Sequence, residues 1–586
     1  MPRTSTSLAP TTPRRAAWAA LLLLLVMPPA FAEVPNTAPR KGNVDDARGY
    51  QPIHHPVRTR GGLVVSQSKP ASEVGARILR EGGNAIDAAI AVGLAEAVTL
   101  PRAGNLGGGG ALVIYVAKDK RTTAFDYYGS APAATTPTLL LGRDGKPERG
   151  ASISWKGVAV PGTVAAFYEA HQKYGKLPWA QLVQPAIELA EQGVRLSDDE
   201  AMILDWAKPT LARTPETKAQ FFKPDGSSYA AGEVLRQPDL GWSLRQIARD
   251  GADAFYKGEI AKRIVAASRK HGGILTAKDL ADYRVRELAP VRSTYRGVEL
   301  ALAPSPSSGT TLAQLLNVIE PFELTPTDAG SAKAYHIIAE ATRLAGADRS
   351  EFAGGPPQHD TPSDALLDKG YARERAALIS LDRTLPSDAI KAGDPLHQSP
   401  DTTHYSVVDA DGNAVSNTYT LSNNFGAAVI APGTGILLNN SLGNFAWGGP
   451  KDSPNAPAPG KRLATTITPF IAFKDDKPWI VAGTPGGGSI ISALAQFVVN
   501  VVDFKLNIAE ATSRPRINAA RDGTISYELA LSPDTLDKLE ALGHKVEPFI
   551  TQTSIQSIEI GPDGSAYGSA DPRRPDSAAV GVSEFR

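Results

Sequence analysis

The sequence predicts an α+β protein in which helices and strands stack in separate layers. Three observations predict it. Helix-like periodicity fills much of the chain as far as residue 347. Beyond residue 401 the pattern changes to strand-like alternation broken by turn residues. Strands and helices fall in separate runs, without the strict βαβ alternation of a doubly wound sheet. No repeat of fixed period is present.

Taken in order, residues 1–32 read as an export signal. Arg3, Arg14 and Arg15 precede an apolar run containing Leu21 to Leu25, and Ala30-Phe31-Ala32 offers a small-x-small cleavage site. The run is short for a membrane span, which takes about 20 residues. Residues 33–62 are polar and rich in proline, and read as an irregular arm. Leu63–Ser66 reads as a strand. A helix over Ser72–Glu81 stops at Gly82-Gly83, and Asn84 caps a second, which carries Ile86, Ile90, Val92, Leu94 and Val98 among alanines. A helix so apolar all round belongs in a core. The glycine-rich run Gly104 to Gly110 leads into a strand over 111–116. Further helices are expected near 162–173, 180–193, 240–249, 258–270, 310–320 and 332–347. Residues 384–401 have no period and read as an exposed loop. Two strands, Thr402–Val408 and Ala414–Leu421, flank the turn Asp409 to Asn413. A strand over 479–482, a helix from Ser489 to about Val502, a helix from Ser532 to Gly543 and a hairpin around Gly561 to Gly564 complete the reading.

Composition removes several classes of function. There is no cysteine, which excludes disulfides, thiolate nucleophiles and cysteine-ligated metals. Lys+Arg 61 balances Asp+Glu 61, which argues against a general nucleic-acid binder. Loss of the export signal leaves a slightly acidic chain. No histidine spacing fits a metal motif, and there is no Gly-x-Ser-x-Gly elbow. No metal or cofactor is expected.

Two features could carry chemistry. Gly483 to Ser489 follows a strand and opens a helix. It lacks a P-loop lysine, so its backbone N–H groups suit any anion, including the oxyanion of acyl transfer, or the loop is plain turn structure. Reflecting Thr402 through the hairpin centre at Asp411 places it opposite Thr420. Threonine is also simply a good strand residue, so the pair alone does not choose between chemistry and architecture.

The sequence resembles the γ-glutamyltranspeptidase family. The resemblance rests on Thr402-Thr403-His404-Tyr405-Ser406-Val407-Val408-Asp409, which matches the family's self-cleavage site, with Asp411 to Val415 behind it. Gly82 to Ala89, Gly104 to Gly110, Val160 to Val164, Pro306 to Gly309, Ala347 to Ser350, Gly435 to Asn440 and Pro485 to Gly487 match in order. The resemblance implies the N-terminal-nucleophile hydrolase fold, a four-layer αββα sandwich. It also implies a precursor that cuts itself before Thr402, giving a large subunit over 33–401 and a small subunit over 402–586. The two would pair as one intertwined domain. A threonine hydroxyl needs a base, and cleavage frees the Thr402 α-amino group, with pKa near 7.7, for that work. Thr420 matches the family's threonine that hydrogen-bonds the nucleophile, and Gly486 and Gly487 match the oxyanion-hole glycines.

The same resemblance exposes departures in the acyl pocket. Tyr128 stands where the family has the arginine that pairs the glutamyl carboxylate. Ser422, Ser441 and Asn444 stand for an asparagine, a glutamine and an acid, and Thr465 and Thr466 for paired serines. Arg102 or Arg121 could replace the arginine from another direction. The implied activity is hydrolysis or transfer of γ-glutamyl-type amides such as glutathione through an acyl-Thr402 intermediate, with water, an amino acid or a peptide as acceptor. The alternatives are an acylase for glutaryl or cephalosporin-type amides, or a catalytically silent binding protein. The expected location is periplasmic or secreted, with neither nucleic acid nor membrane as a partner.

Overall fold

The structure is a computed structural model that describes residues 53–390, 401–550 and 553–584. The expected export signal, most of the arm and part of the 384–401 stretch lie outside these residues. The elements are, in order, β1 (Val57–Ser66), α1 (Lys69–Arg80), α2 (Ala85–Thr99), β2 (Gly109–Val116), β3 (Arg121–Asp126), α3 (Thr163–Tyr174), α4 (Trp179–Gln192), β4 (Val194–Arg195), α5 (Asp198–Leu211), α6 (Pro215–Phe221) and β5 (Val234–Leu235). Next come α7 (Pro238–Asp250), α8 (Ala252–Tyr256), α9 (Glu259–Lys270), α10 (Ala277–Ala281), β6 (Arg286–Leu288), β7 (Val291–Tyr295), β8 (Val298–Leu302), α11 (Gly309–Ile319), α12 (Ala332–Phe352), α13 (Ser363–Leu367) and α14 (Lys369–Ala376). The last part holds β9 (Asp401–Asp409), β10 (Ala414–Ser422), β11 (Phe470–Lys474), β12 (Lys477–Gly483), α15 (Ile490–Val502), α16 (Ile508–Ser513), β13 (Ile517–Ala519), β14 (Thr524–Tyr527), α17 (Pro533–Ala541), β15 (Lys545–Pro548), β16 (Gln556–Ile560), β17 (Ala566–Ala570) and β18 (Ala578–Glu584).

A 13-stranded sheet runs β6-β3-β2-β10-β9-β1-β17-β16-β12-β11-β8-β7, with β18 beside β1. The mixed helix-and-sheet class expected from the sequence is therefore present. The order alternates between strands from before and after residue 401. β1 joins the two halves of the sheet: its first residues, Val57 to Thr59, pair with β17, and Gly62 to Ser66 pair with β9. The change happens at Gly61-Gly62, with φ of 92° and 133°, a backbone that side-chain-bearing residues rarely adopt. The sequence reading ended the irregular arm at Gly62, but the strand begins at Val57. Two glycines that look like a break instead let one strand serve both halves.

The halves meet face to face around β9 and β10. Ser406 Oγ donates to the carbonyls of Val481 (3.2 Å) and Gln556 (3.0 Å), and Ser416 Oγ to that of Ala482 (2.9 Å). The outer face of β2, β9 and β10 presents Leu112, Ile114, Tyr405, Val407, Val415 and Tyr419 to a helical layer that includes α2, α3 and α4. In the other half, Ile471, Val481 and Ile558 share a core with α11, α12 and α15. Every residue of α2 is buried, as its alanine-rich sequence predicts, and Asn84 with Asp87 forms a capping box at its start. α1 begins at Lys69, earlier than Ser72, because Ser68 supplies the cap and Pro70 fits the first turn. Ser532 stands at the N-cap of α17, yet its hydroxyl turns to Asp534 rather than to a backbone N–H. Among the described residues no helix is long and apolar enough to cross a membrane.

Candidate active site

The β9–β10 hairpin carries the two threonines. Its turn is closed by Asp409, whose carboxylate accepts from the N–H groups of Asp411 (3.0 Å) and Asn413 (2.9 Å). From there the ladder pairs Val408 with Ala414 and continues to Thr403 with Tyr419. One step further, Thr402 Oγ1 donates to Thr420 Oγ1 at 3.4 Å. The reflection through Asp411 therefore identifies the correct partner. Immediately beyond, the register slips so that Ser422 pairs with Asp401. Ser422 takes up the slip in a left-handed conformation, φ 81°, and its N–H donates to Thr420 Oγ1 at 2.8 Å. Strained backbone of this kind at a non-glycine residue is a feature of functional sites.

The other face of the site comes from β12. The His404 ring packs against Gly483, where an added Cβ would lie 2.4 Å from the imidazole. Ser406 lies over Val481. Moving from 406 to 404 along β9 thus moves from 481 to 483 along β12, and the glycine loop follows directly after Gly483. Gly486 has φ 128° and ψ 18°, and an added Cβ would sit 2.5 Å from Thr553 Cγ2. Only glycine fits there.

His404 is buried in this wall. Desolvation pushes its imidazole down to about 3. Ser406 Oγ gives its proton to a carbonyl, so it accepts from His404 Nε2 (3.1 Å), which leaves Nδ1 to accept from Thr418 Oγ1 (2.8 Å). The ring is a neutral strut, not a base for Thr402.

The residues named for the acyl pocket gather around one phenol. Tyr128 OH lies 3.0 Å from Ser422 Oγ and accepts from Asn444 Nδ2 at 2.6 Å. Ser422 Oγ is 2.8 Å from Ser441 Oγ, and Thr465 and Ser441 also face the phenol. Burial pushes the Tyr128 hydroxyl up, so it stays neutral. Thr466 is buried beside Thr465. A hydrogen-bonded string therefore runs from Thr402 through Thr420, Ser422 and Tyr128 to Asn444, and none of its members carries a charge. Arg102 is paired with Asp199 (2.7 Å) and Glu200 (3.0 Å). Arg121 is half-exposed on Glu287. A different arginine, Arg349, stands behind Thr465: its Nε donates to Ser308 Oγ (2.9 Å), which donates to the Thr465 carbonyl (2.7 Å). Glu96, a buried acid under the hairpin, is not singled out in the sequence, and Arg349 enters there only within the matching stretch 347–350, with no role given. A charged residue inside an otherwise buried helical run is the signal that marks both.

Two clusters have the composition of cation sites. His336, Glu340 and His544 converge, but Glu340 already holds Arg343 at 2.7 Å, and His336 Nδ1 is hydrogen-bonded to His544 Nε2 at 2.7 Å. Asp199, Glu200 and Asp576 converge, and Arg102 pairs with the first two. A guanidinium therefore occupies each.

The family model described as Gamma-glutamyltranspeptidase matches residues 71–581. The chain belongs to the γ-glutamyltranspeptidase family. It is 42% identical over 585 residues to the glutathione hydrolase proenzyme of Escherichia coli K12, covering 98% of this chain and 99% of that one. It is 36% identical over 522 residues to the acylase ACY 1 proenzyme of Pseudomonas sp. V22, covering 87% and 91%. Among solved structures, the cephalosporin acylase of Bacillus halodurans superposes with a TM-score of 0.83 at 29% identity, covering 92% of this chain and 98% of that one. The γ-glutamyltranspeptidase of Helicobacter pylori gives 0.54 at 41% identity, covering 56% and 93%. Membership of this family makes the chain a hydrolase or transferase of the γ-glutamyltranspeptidase type, with acylases among its relatives.

Proposed function

We propose that the chain is an exported, self-processing enzyme that cleaves or transfers the acyl group of γ-glutamyl amides such as glutathione. The observation that carries this reading is the Thr402–Thr420 hydroxyl pair at the ordered end of the hairpin. In the precursor, Thr402 Oγ attacks the carbonyl carbon of Asp401. The C–N bond breaks, the acyl group moves to oxygen as an ester, and water hydrolyses it to leave the Asp401 carboxylate and a free Thr402 α-amine. The large subunit is then 33–401 and the small subunit 402–586, held as one αββα sandwich.

In turnover the α-amine takes the Thr402 hydroxyl proton as oxygen attacks the substrate carbonyl. Gly486 and Gly487 offer backbone N–H groups to the oxyanion. The proton passes to the leaving amine, and an acyl ester on Thr402 remains. Water or an acceptor amine then attacks the ester, releasing the acyl product and restoring the hydroxyl. Export through residues 1–32 places this chemistry in the periplasm or medium.

A second reading concerns the acyl group. Among the described residues that surround the Tyr128 phenol there is neither a guanidinium for an α-carboxylate nor an acid for an α-ammonium, which favours acyl groups lacking the α-amino group. One experiment tests both readings. Purified wild type should split without added protease, with the smaller fragment beginning at Thr402, and Thr402→Ala should stay uncut, its activity lower by about a thousandfold or more. γ-Glutamyl and glutaryl anilides compared on the processed enzyme then rank the acyl groups. Cleavage of Thr402→Ala at the same bond would refute the mechanism.

A further inference from the structure

Glu96 is an acid that the chemistry above leaves unused. It sits on α2 with its side chain fully buried. Its Oε2 accepts from Thr403 Oγ1 at 3.2 Å, and the Tyr419 phenol, the Ser66 hydroxyl and the Gln67 N–H also face the carboxyl. Thr403 and Tyr419 are cross-strand partners. One follows Thr402 and the other precedes Thr420. Side chains alternate across a strand, so the carboxyl lies beneath the Thr402–Thr420 pair, on the opposite face of the hairpin.

The helix that carries it is fixed to the hairpin at both ends. At the turn, Asp409 Oδ2 accepts from the N–H of Ala85, the first residue of α2. At the nucleophile end the link is Glu96. Helix from Ala85 to Glu96 spans about 16 Å and strand from Asp409 to Thr403 about 20 Å, so the two links sit nearly in step. Tyr419 OH adds a bond to the Gly93 carbonyl at 2.8 Å.

The surroundings of Glu96 hold no counter-charge. It faces the Tyr405 phenol from β9, the Tyr419 phenol from β10 and the Tyr127 phenol from the segment after β3. Among the described residues no ion pair joins it to α1, α3 or α4, the helices packed against α2. Its Oε1 and the Tyr405 hydroxyl are buried without a partner. Burial raises its carboxyl to about 8. At neutral pH it is an uncharged acid: the hydroxyl and N–H donors around it favour the anion but do not offset its burial.

We propose that Glu96 is a positioning residue for Thr402: its carboxyl clamps the Thr403–Tyr419 pair from the helix side and thereby holds the two site hydroxyls in register. The proposal rests on the reading of Thr402 as nucleophile. It predicts that the wild type loses both self-cleavage and turnover as pH rises through about 8, because the clamp then carries a charge that its surroundings do not compensate.

The test compares wild type, Glu96→Gln, Glu96→Ala and Thr402→Ala, following precursor cleavage on gels and kcat/KM with a γ-glutamyl anilide between pH 6 and 9.5. Glu96→Gln keeps hydrogen bonding but cannot ionise. It should stay within about threefold of wild type at pH 7 and should lack the alkaline decline. Glu96→Ala should cleave itself about tenfold or more slowly at every pH. The proposal is overturned if wild type shows no decline near pH 8, if Glu96→Gln shows the same decline, or if Glu96→Ala matches wild type. Should Glu96→Ala fail to fold, the Glu96→Gln profile decides alone. An active, cleaved Thr402→Ala would sink the nucleophile reading itself. An inert Thr402→Ala beside Glu96 variants that behave as wild type would sink only the clamp.

Discussion

The nucleophile end of the hairpin and the acyl pocket share Ser422, yet they are built on different principles. The hairpin end is fixed by ladder hydrogen bonds and by a neutral buried histidine packed on Gly483. The pocket is held by side chains on loops, joined through the Tyr128 phenol. On the proposed reading, backbone geometry sets the reaction, while substitutable hydroxyls and amides set what enters. One region can keep the family's pattern while its neighbour loses every fixed charge.

The strongest way to break this division is Gly486→Ala. A methyl group there meets Thr553 and asks alanine for φ 128°. The expected result is a drop in kcat of about 100- to 1,000-fold in protein that still folds. An alanine variant with wild-type kcat would mean that the glycine loop is only a turn.

The pocket is tested by Tyr128→Arg with Asn444→Asp. Asn444 already donates to Tyr128 at 2.6 Å, so the new pair meets at a contact that exists. Each returned charge faces one end of a glutamyl group. A gain in γ-glutamyl kcat/KM of about tenfold corresponds to about 1.36 kcal/mol of transition-state binding. Glutaryl activity should gain less, because it lacks the ammonium. Robust wild-type γ-glutamyl turnover that the double variant leaves unimproved would place the clamp elsewhere.

A smaller effect comes from His404. Its imidazole is held near 3 in the folded chain and lies near 6.5 when unfolded. Above about 6.5 it is neutral in both states and contributes nothing. Below that, the unfolded chain binds a proton that the folded chain refuses, so stability falls by about 1.4 kcal/mol per pH unit until about pH 3. Thermal melts of the uncut Thr402→Ala chain between pH 7 and 5 measure this slope. His404→Gln should flatten it, and an unchanged slope would assign acid sensitivity to other groups.

What the sequence reveals follows the range of the forces involved. The hairpin was legible because its turn chemistry and period of two are local, and they located Thr420 from Thr402 alone. α2 was legible because an all-apolar helix has one place to go. The switch of β1 between sheet halves was not, since Gly61-Gly62 carries the same signal as a chain break. β7 and β8 were missed although they form a local hairpin, and only the pairing of β8 with β11 is distant along the chain. The pocket residues were named through family resemblance, but their convergence on one phenol depends on loops brought together by the fold. Glu96 was passed over within a run of alanines, where only the packed structure reveals that it turns inward.

The interleaving of strands has a consequence for the life of the molecule. In the sheet, β10-β9 sits between β2 and β1, and β17-β16-β12-β11 between β1 and β8, so pieces made by the proposed cut at 401–402 would remain laced through one another. The precursor folds as a single chain, whatever its concentration. Once cut, the same architecture could be regained after unfolding only by two fragments finding each other in solution. On that reading, maturation would change folding from a first-order to a second-order process, and the active enzyme would keep its shape through slow unraveling rather than through easy return.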